Sequence, residues 1–268
     1  MMVSENIKQH FRPDEVPFID SMMSLINTAS GQYRPVLTDF LNPRQRYILQ
    51  TLVNQEDQLR MQSSGGYEAA EMQRSLIYPD YFQPTAADFK LQLIEINYPV
   101  KFVELHHRQI MGSLLGSGIK RETFGDILNE GNRWQFFIKN ELTQYVGAQV
   151  DRIGRNHVQL MTVDLDHLVH PVDDWEPLET TVSSLRLDAV ISTAFNYSRN
   201  RSKELVEHGL VRVNWEEMDR PDYELAVHDQ ISVRHAGRIK LTALNGKNKK
   251  QKLRTTLMVI NAWCLEDK

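Results

Sequence analysis

Apolar residues near the start of the chain recur at helical spacing. Val16, Phe18, Ile19, Met22, Met23 and Ile26 fall on one stripe. Asn42-Pro43 supplies a capping residue followed by a proline at the first helical position, which predicts a helix from Arg44 to Val53. A third helix is expected over 67–76, after the turn Ser63-Ser64-Gly65-Gly66. Pro79 and Pro84 interrupt the pattern and set a boundary there, so residues 1–84 read as a helical N-terminal domain.

Between 85 and 180 the pattern changes to strand, helix, strand, strand, helix, strand. Phe89 to Ile96 is apolar on nearly both faces, and Val103 to Leu115 reads as a helix ending at Gly116 and Gly118. Asp126–Asn129 and Arg133–Ile138 pair across the hairpin turn Glu130-Gly131-Asn132. Lys139–Val146 gives a second helix and His157–Val163 a last strand. That order predicts a ferredoxin-like domain, a fold that includes many RNA-recognition domains and does not by itself supply a function. Trp134, Phe136 and Ile138 share a strand face. Base stacking is one reading of them, and core packing of a central strand is the stronger one.

Asp173-Asp174-Trp175-Glu176-Pro177 reads as a linker, and residues 181–268 form a third part. A short helix begins at Arg186-Leu187-Asp188. A second follows from Ser198 to His208, with Ser198 as its cap and Gly209 turning the chain into the strand Val211-Arg212-Val213-Asn214. Arg199 and Lys203 are four apart and share a helix face with Arg201 nearby. Arg212 and Asn214 are expected to point outward while Val211 and Val213 point in. Arg186, Ser198, Arg199, Arg201, Lys203, Arg212 and Asn214 are therefore the candidate phosphate surface. The exposed N–H groups at the helix start add to the field. Lys247, Lys249, Lys250 and Lys252 with Arg254 form a cationic run that would assist without reading sequence. Thr255 to Trp263 is β-prone.

Charge sharpens the picture. The 268 residues carry a formal net charge of −4. From Leu185 to Arg254, however, 14 Lys and Arg face 9 Asp and Glu, leaving 17 against 26 in the remainder. An acidic body with a basic C-terminal third localises a polyanion contact to that third. The 41 % apolar and 25 % charged composition is that of a globular protein. No apolar run approaches the ~20 residues of a membrane span. The start, MMVSENIKQHFRPDE, lacks the apolar core of a secretory leader. Cys264 stands alone, which fits a reducing cytoplasm and a core role.

The basic third resembles the S4 RNA-binding domain. The matching residues are Arg186-Leu187-Asp188, Ser198-Arg199, Lys203, Gly209, Val211-Arg212-Val213-Asn214, Asp229 and Ile231-Ser232-Val233. Two positions that are usually glycine are Trp215 and His228, which puts the local turn geometry in question. Leu37–Leu49, Gly65–Tyr81 and Leu114–Leu128 extend the likeness to YlmH-type bacterial S4-domain proteins, which are encoded near cell-division genes. The segment His107-Arg108-Gln109-Ile110-Met111-Gly112 departs from the relatives' more usual HRDFLG. The resemblance implies an α+β protein that binds structured rRNA and tRNA without catalysis. It points to the large ribosomal subunit and nascent-chain quality control.

Other signals are weaker. The turn at Ser63–Gly66 lacks the Lys-Ser/Thr of a phosphate loop, and Gly116-Ser117-Gly118 lacks a dinucleotide fingerprint. His167 and His170 near Asp164 and Asp166 lack the geometry of a metal site and read as surface residues. His106-His107 reads as half-buried. No catalytic residue, cofactor or metal is expected. An RNA-modifying enzyme related to pseudouridine synthases remains an alternative, because those enzymes carry a similar RLD. An adaptor for division proteins is another. A monomer is favoured.

Overall fold

The computed structural model of the protein describes residues 11–170 and 175–261. The readings of Trp263, Cys264 and the linker acids Asp173 and Asp174 lie outside the described residues. The chain divides into two compact units, residues 1–171 and 172–268.

In the first unit, α1 (Val16–Gln32) and α2 (Pro43–Val53) form as the apolar spacing predicts. The Asn42 side chain accepts from the Gln45 N–H at 2.9 Å, and the Gln45 side chain accepts from the Asn42 N–H at 3.0 Å. This reciprocal box satisfies two N–H groups at the helix start. The third expected helix does not form. Residues 73–79 are instead the central strand of a sheet ordered β1-β3-β2, with β1 at Val36–Leu41, β2 at Leu59–Ser64 and β3 at Gln73–Pro79. Arg74, Ser75, Leu76 and Ile77 are all buried, so β3 has no polar face and shows no alternation. One side joins the core of Ile19, Ile26, Leu49 and Leu52. On the other side the Arg74 guanidinium donates to the carbonyls of Thr38, Phe89 and Lys90.

The middle part has β4 (Leu91–Asn97), α3 (His107–Gly116), β5 (Phe124–Glu130), β6 (Arg133–Lys139) and α4 (Thr143–Gln149). It then adds a short hairpin, β7 (Arg152–Ile153) and β8 (Asn156–His157), before β9 (Gln159–Val163). The antiparallel order β5-β6-β4-β9 is that of a ferredoxin-like sheet. Ile94, Ile96, Phe136 and Ile138 pack with α3 and α4 residues Ile110, Leu114 and Val146. The aromatic face of β6 is therefore core. The helix expected from Val103 starts later, because Val103 closes a turn on Pro99 and His106 caps α3.

β6 turns its other face to the first sheet. The Phe137 ring is fully buried and stacks on Tyr67 at 6.0 Å between centroids. Gly66 has φ +95°, and a Cβ there would sit 2.1 Å from the Phe137 ring. Gly125 has the same constraint against Phe40, at 2.8 Å. Glycine is needed at both positions so that the two layers can approach.

The second unit begins with β10 (Glu176–Val182), so the Pro177 region read as linker is an edge strand, where a missing N–H is tolerated. It continues with α5 (Leu187–Ala194), α6 (Arg199–Glu207), β11 (Val211–Val213), β12 (Glu216–Glu217), β13 (Gln230–Val233), β14 (Gly237–Lys247) and β15 (Leu253–Asn261). The sheet runs β10-β15-β14-β13-β11-β12, all antiparallel. Its inner face, with Val211, Ile231, Ile239 and Leu257, closes on Leu187, Val190, Ile191 and Val206 of the two helices.

Gly66→Ala should lower stability by about 2–4 kcal/mol, because it adds a clash and a left-handed alanine. Gly112→Ala, on α3 with nothing within 4 Å of the added carbon, should raise stability by about 0.5–1 kcal/mol. Urea denaturation of both variants checks the opposite signs.

Candidate nucleic-acid interface

The entrance to α5 and α6 is organised by a buried carboxylate. Asp188 lies in the first turn of α5, its side chain 6 % exposed. Its Oδ1 accepts from Arg199 Nη2 at 2.9 Å, and Arg186 donates to both oxygens at 3.2 and 3.1 Å. The hydrogen bond to Asp188, opposed in part by burial, holds Arg186 above its ordinary value. Arg186 and Arg199 are both 45 % exposed at the side chain; Arg186 is held along one edge and Arg199 through one nitrogen, leaving the rest of each guanidinium toward solvent. The Ser198 hydroxyl accepts from the Arg201 N–H at 3.2 Å, which fixes the start of α6. Arg201 stands over the Tyr197 ring at 3.7 Å. The structure thus brings Arg186, Ser198, Arg199 and Arg201 together.

The remaining candidates divide. Lys203 is exposed and 3.4 Å from Glu207, a surface pair worth little and easily exchanged. Arg212 is exposed on β11 opposite Glu217. Asn214 does not point outward as expected. Its Nδ2 donates to Asp229 Oδ1 at 2.8 Å, and its Oδ1 accepts from the Gln230 N–H at 3.0 Å. With both ends of the amide engaged, Asn214 locks the turn after β11. Asp229 is fully buried and also accepts from the Ala226 N–H at 2.8 Å.

The lysine run is an ordered hairpin tip between β14 and β15. Asn248 Oδ1 accepts from the N–H groups of Lys250 and Lys252 at 2.9 and 3.0 Å. Lys247, Lys249, Lys250 and Lys252 are exposed around it, and Arg254 lines a shallow cleft with Glu179, Thr181 and Asn245. Val182, which ends β10, pairs with Leu253 beside the tip. Only residues 183–185 separate it from Arg186, so the tip lies at the end of the sheet where α5 begins.

Three family models match the chain: the YlmH N-terminal model over residues 14–82, the YlmH RNA-binding-domain model over 84–167, and the S4 domain over 185–231. A curated relative, ribosome-associated protein quality control protein P2 of Bacillus subtilis, is 42% identical over 251 residues, 94% of this chain and 97% of the relative. The chain belongs to the YlmH family. A solved structure, cell division protein YlmH from Streptococcus pneumoniae, is similar with a TM-score of 0.55 and 34% identity, covering 60% of this chain and 98% of that one.

The segments that carry the YlmH likeness outside the S4 domain meet in the first unit. Asp126 accepts from the Tyr67 hydroxyl at 2.9 Å and from the N–H groups of Glu71 and Met72 at 2.7 and 3.1 Å. Burial, reinforced by Glu71, pushes the Asp126 carboxyl up, and burial pushes Arg121 down to about 10. These residues join the two sheets. Sequence reasoning did not find that role, because charged residues in a motif usually read as surface. It also missed Tyr197 beneath Arg201 and Trp175, whose ring lies 3.9 Å from Lys240 Nζ.

Among the described residues no helix is long and apolar enough to cross a membrane, and no cluster of His, Cys, Asp and Glu could hold a metal. Trp215 and His228 keep the turns that glycine usually makes, at φ +71° and +75°. Each non-glycine residue there costs on the order of 1 kcal/mol. His228→Gly should therefore leave stability unchanged or raise it by up to ~1 kcal/mol. His228→Val should lower it by about 1–2 kcal/mol, since a branched Cβ fits this backbone poorly. Thermal midpoints compare the two.

Proposed function

We propose that this YlmH-family protein binds structured RNA on the ribosome through its S4 surface and does so without catalysis. Arg186, Ser198, Arg199, Arg201, Lys203 and Arg212 form the main contact, and the hairpin tip from Lys247 to Lys252 with Arg254 assists. The observation that carries this reading is the pair of arginines held by buried Asp188 beside the capped start of α6. Two planar guanidiniums held by one carboxylate offer pre-set forks for phosphate. Fixing them beforehand removes part of the ordering cost of binding. The Bacillus relative is named as a ribosome-associated quality control protein. Extended to this chain, that supports a role on the ribosome; the large subunit, tRNA and a cytoplasmic location follow from the sequence resemblance to YlmH-type proteins. The pneumococcal relative is named as a cell division protein, which supports a second reading, an adaptor role in cell division. That role would survive loss of the basic surface, and the ribosomal one would not.

RNA crosslinking in cells with sequencing of the attached fragments tests the address. Crosslinks concentrated on large-subunit rRNA and tRNA, and lost in an Arg199→Ala, Lys203→Ala double variant, are the expected result. Scattered crosslinks that the variant leaves unchanged would favour the adaptor.

A salt titration tests the hairpin tip. Lys249→Ala with Lys250→Ala should flatten the dependence of log affinity on log salt by roughly one unit per lost phosphate contact. Asn248 holds this turn through backbone N–H groups, so the turn itself should survive.

A further inference from the structure

The loop from β4 to α3 carries a feature that the fold does not use. The Phe102 side chain is 88 % exposed and Val100 46 % exposed, with Lys101 between them. The loop is an ordered turn: Phe102 and Val103 both donate N–H bonds to the Pro99 carbonyl, at 3.0 and 3.2 Å, and Val100 donates to the Tyr98 carbonyl at 2.8 Å. Both ends are anchored. The Tyr98 hydroxyl donates to the Asn132 carbonyl at 2.8 Å, and Leu105 is buried in the domain core. The turn fixes the backbone from which the Phe102 ring reaches into solvent.

Exposed cations lie in the segments next to this loop. His106 caps α3 and is exposed, contrary to the half-buried reading, as are His107 and Arg108 in the first turn, which contains no acidic residue. The β7–β8 hairpin docks on the same helix: the Gly154 N–H donates to Ser113 Oγ at 3.4 Å, and a Cβ on Gly154 would lie 3.8 Å from Gln109 Nε2. This contact holds the hairpin that carries exposed Arg152 and Arg155 against α3. Glu104 and Asp151 are the acidic residues of these segments, set against Lys101, Arg108, Arg152 and Arg155.

The centre of this domain's sheet is covered on both faces. One face packs on α3 and α4, and the Phe137 face packs on Gly66 and Tyr67. An exposed loop end is therefore the better-placed site for an RNA contact by the middle domain. We infer that the β4–α3 loop is a second RNA-binding site, in which Phe102 stacks on an unpaired base while Lys101, Arg108, Arg152 and Arg155 meet the flanking phosphates. Stacking on an aromatic ring needs no sequence-specific hydrogen bond, and cations at the flanks supply the salt-dependent part. The inference rests on the RNA-binding reading above and assigns a separate place to it.

The test uses the full chain bound to purified bacterial ribosomes. Ultraviolet crosslinking followed by mass spectrometry should give an RNA adduct on the peptide containing Phe102. Phe102→Ala should lose that adduct and weaken ribosome binding by roughly tenfold. Phe102→Tyr should keep both, and all variants should melt with the wild type because the side chain contacts little. Arg108→Ala with Arg155→Ala should flatten the salt dependence by roughly two units at most. If Phe102→Ala binds as the wild type while Arg199→Ala, Lys203→Ala binds weakly, the second site is wrong and the S4 reading stands. If neither set weakens binding, both readings fall. A Phe102 crosslink to a ribosomal protein with no RNA adduct would overturn the site in favour of protein docking.

Discussion

A carboxylate taken out of water must be met by opposite charge or by several hydrogen-bond donors. Asp188 is met by two arginines from different elements, Arg186 just before α5 and Arg199 at the start of α6. The S4 surface depends on this pairing. It ties two short helices together where the core alone would leave their ends free to splay, and it sets the direction of two exposed guanidiniums before any ligand arrives. The same Arg-Leu-Asp sequence that suggests an enzyme's catalytic aspartate thus has a structural use here, with both carboxylate oxygens engaged.

A second constraint shapes the first unit. Its two sheets lie close enough that Gly66 and Gly125 cannot carry a side chain, and Phe137 fills the space between them. The cost of burying Asp126 is met by the Tyr67 hydroxyl and two backbone N–H groups. Closing this layer covers the centre of the ferredoxin-like sheet on both faces. Loops and helix starts then present the exposed cations and Phe102 to a polyanion.

Charge is distributed in keeping with these roles. The acidic excess lies outside the basic third. In the first unit many arginines serve the fold: Arg44 donates to Glu15 at 2.8 and 3.0 Å, and Arg74 to three carbonyls. Burial acts to raise Glu15, but the bonds from Arg44 and Arg12 outweigh it and hold the carboxyl below its ordinary value. In the S4 unit most cations are exposed, while Arg238 and Lys240 pack on Trp175. Counting charges along the chain cannot separate these two uses, because the distinction lies in which carbonyl or carboxylate comes within reach.

The sequence by itself determined the local features. The Asn42-Pro43 start of α2, the Ser198 cap, the left-handed Gly209 and the βαββαβ order all rest on interactions between near neighbours, and near neighbours are legible in a linear text. The basic face could be read for the same reason, since Arg199, Arg201 and Lys203 sit within one helix turn or so. Only the tertiary structure decided the rest. β3 is buried on both sides, which erased the alternation that marks a strand and left a pattern that passes for a helix. Asn214 was assigned outward by strand parity, yet the left-handed turn brings it against Asp229, fifteen residues on. The turns at Trp215 and His228 kept a glycine-like backbone because the surrounding strands over-determine it. Long-range packing sets what each of these residues touches, and a single sequence records that only where the partner is close along the chain.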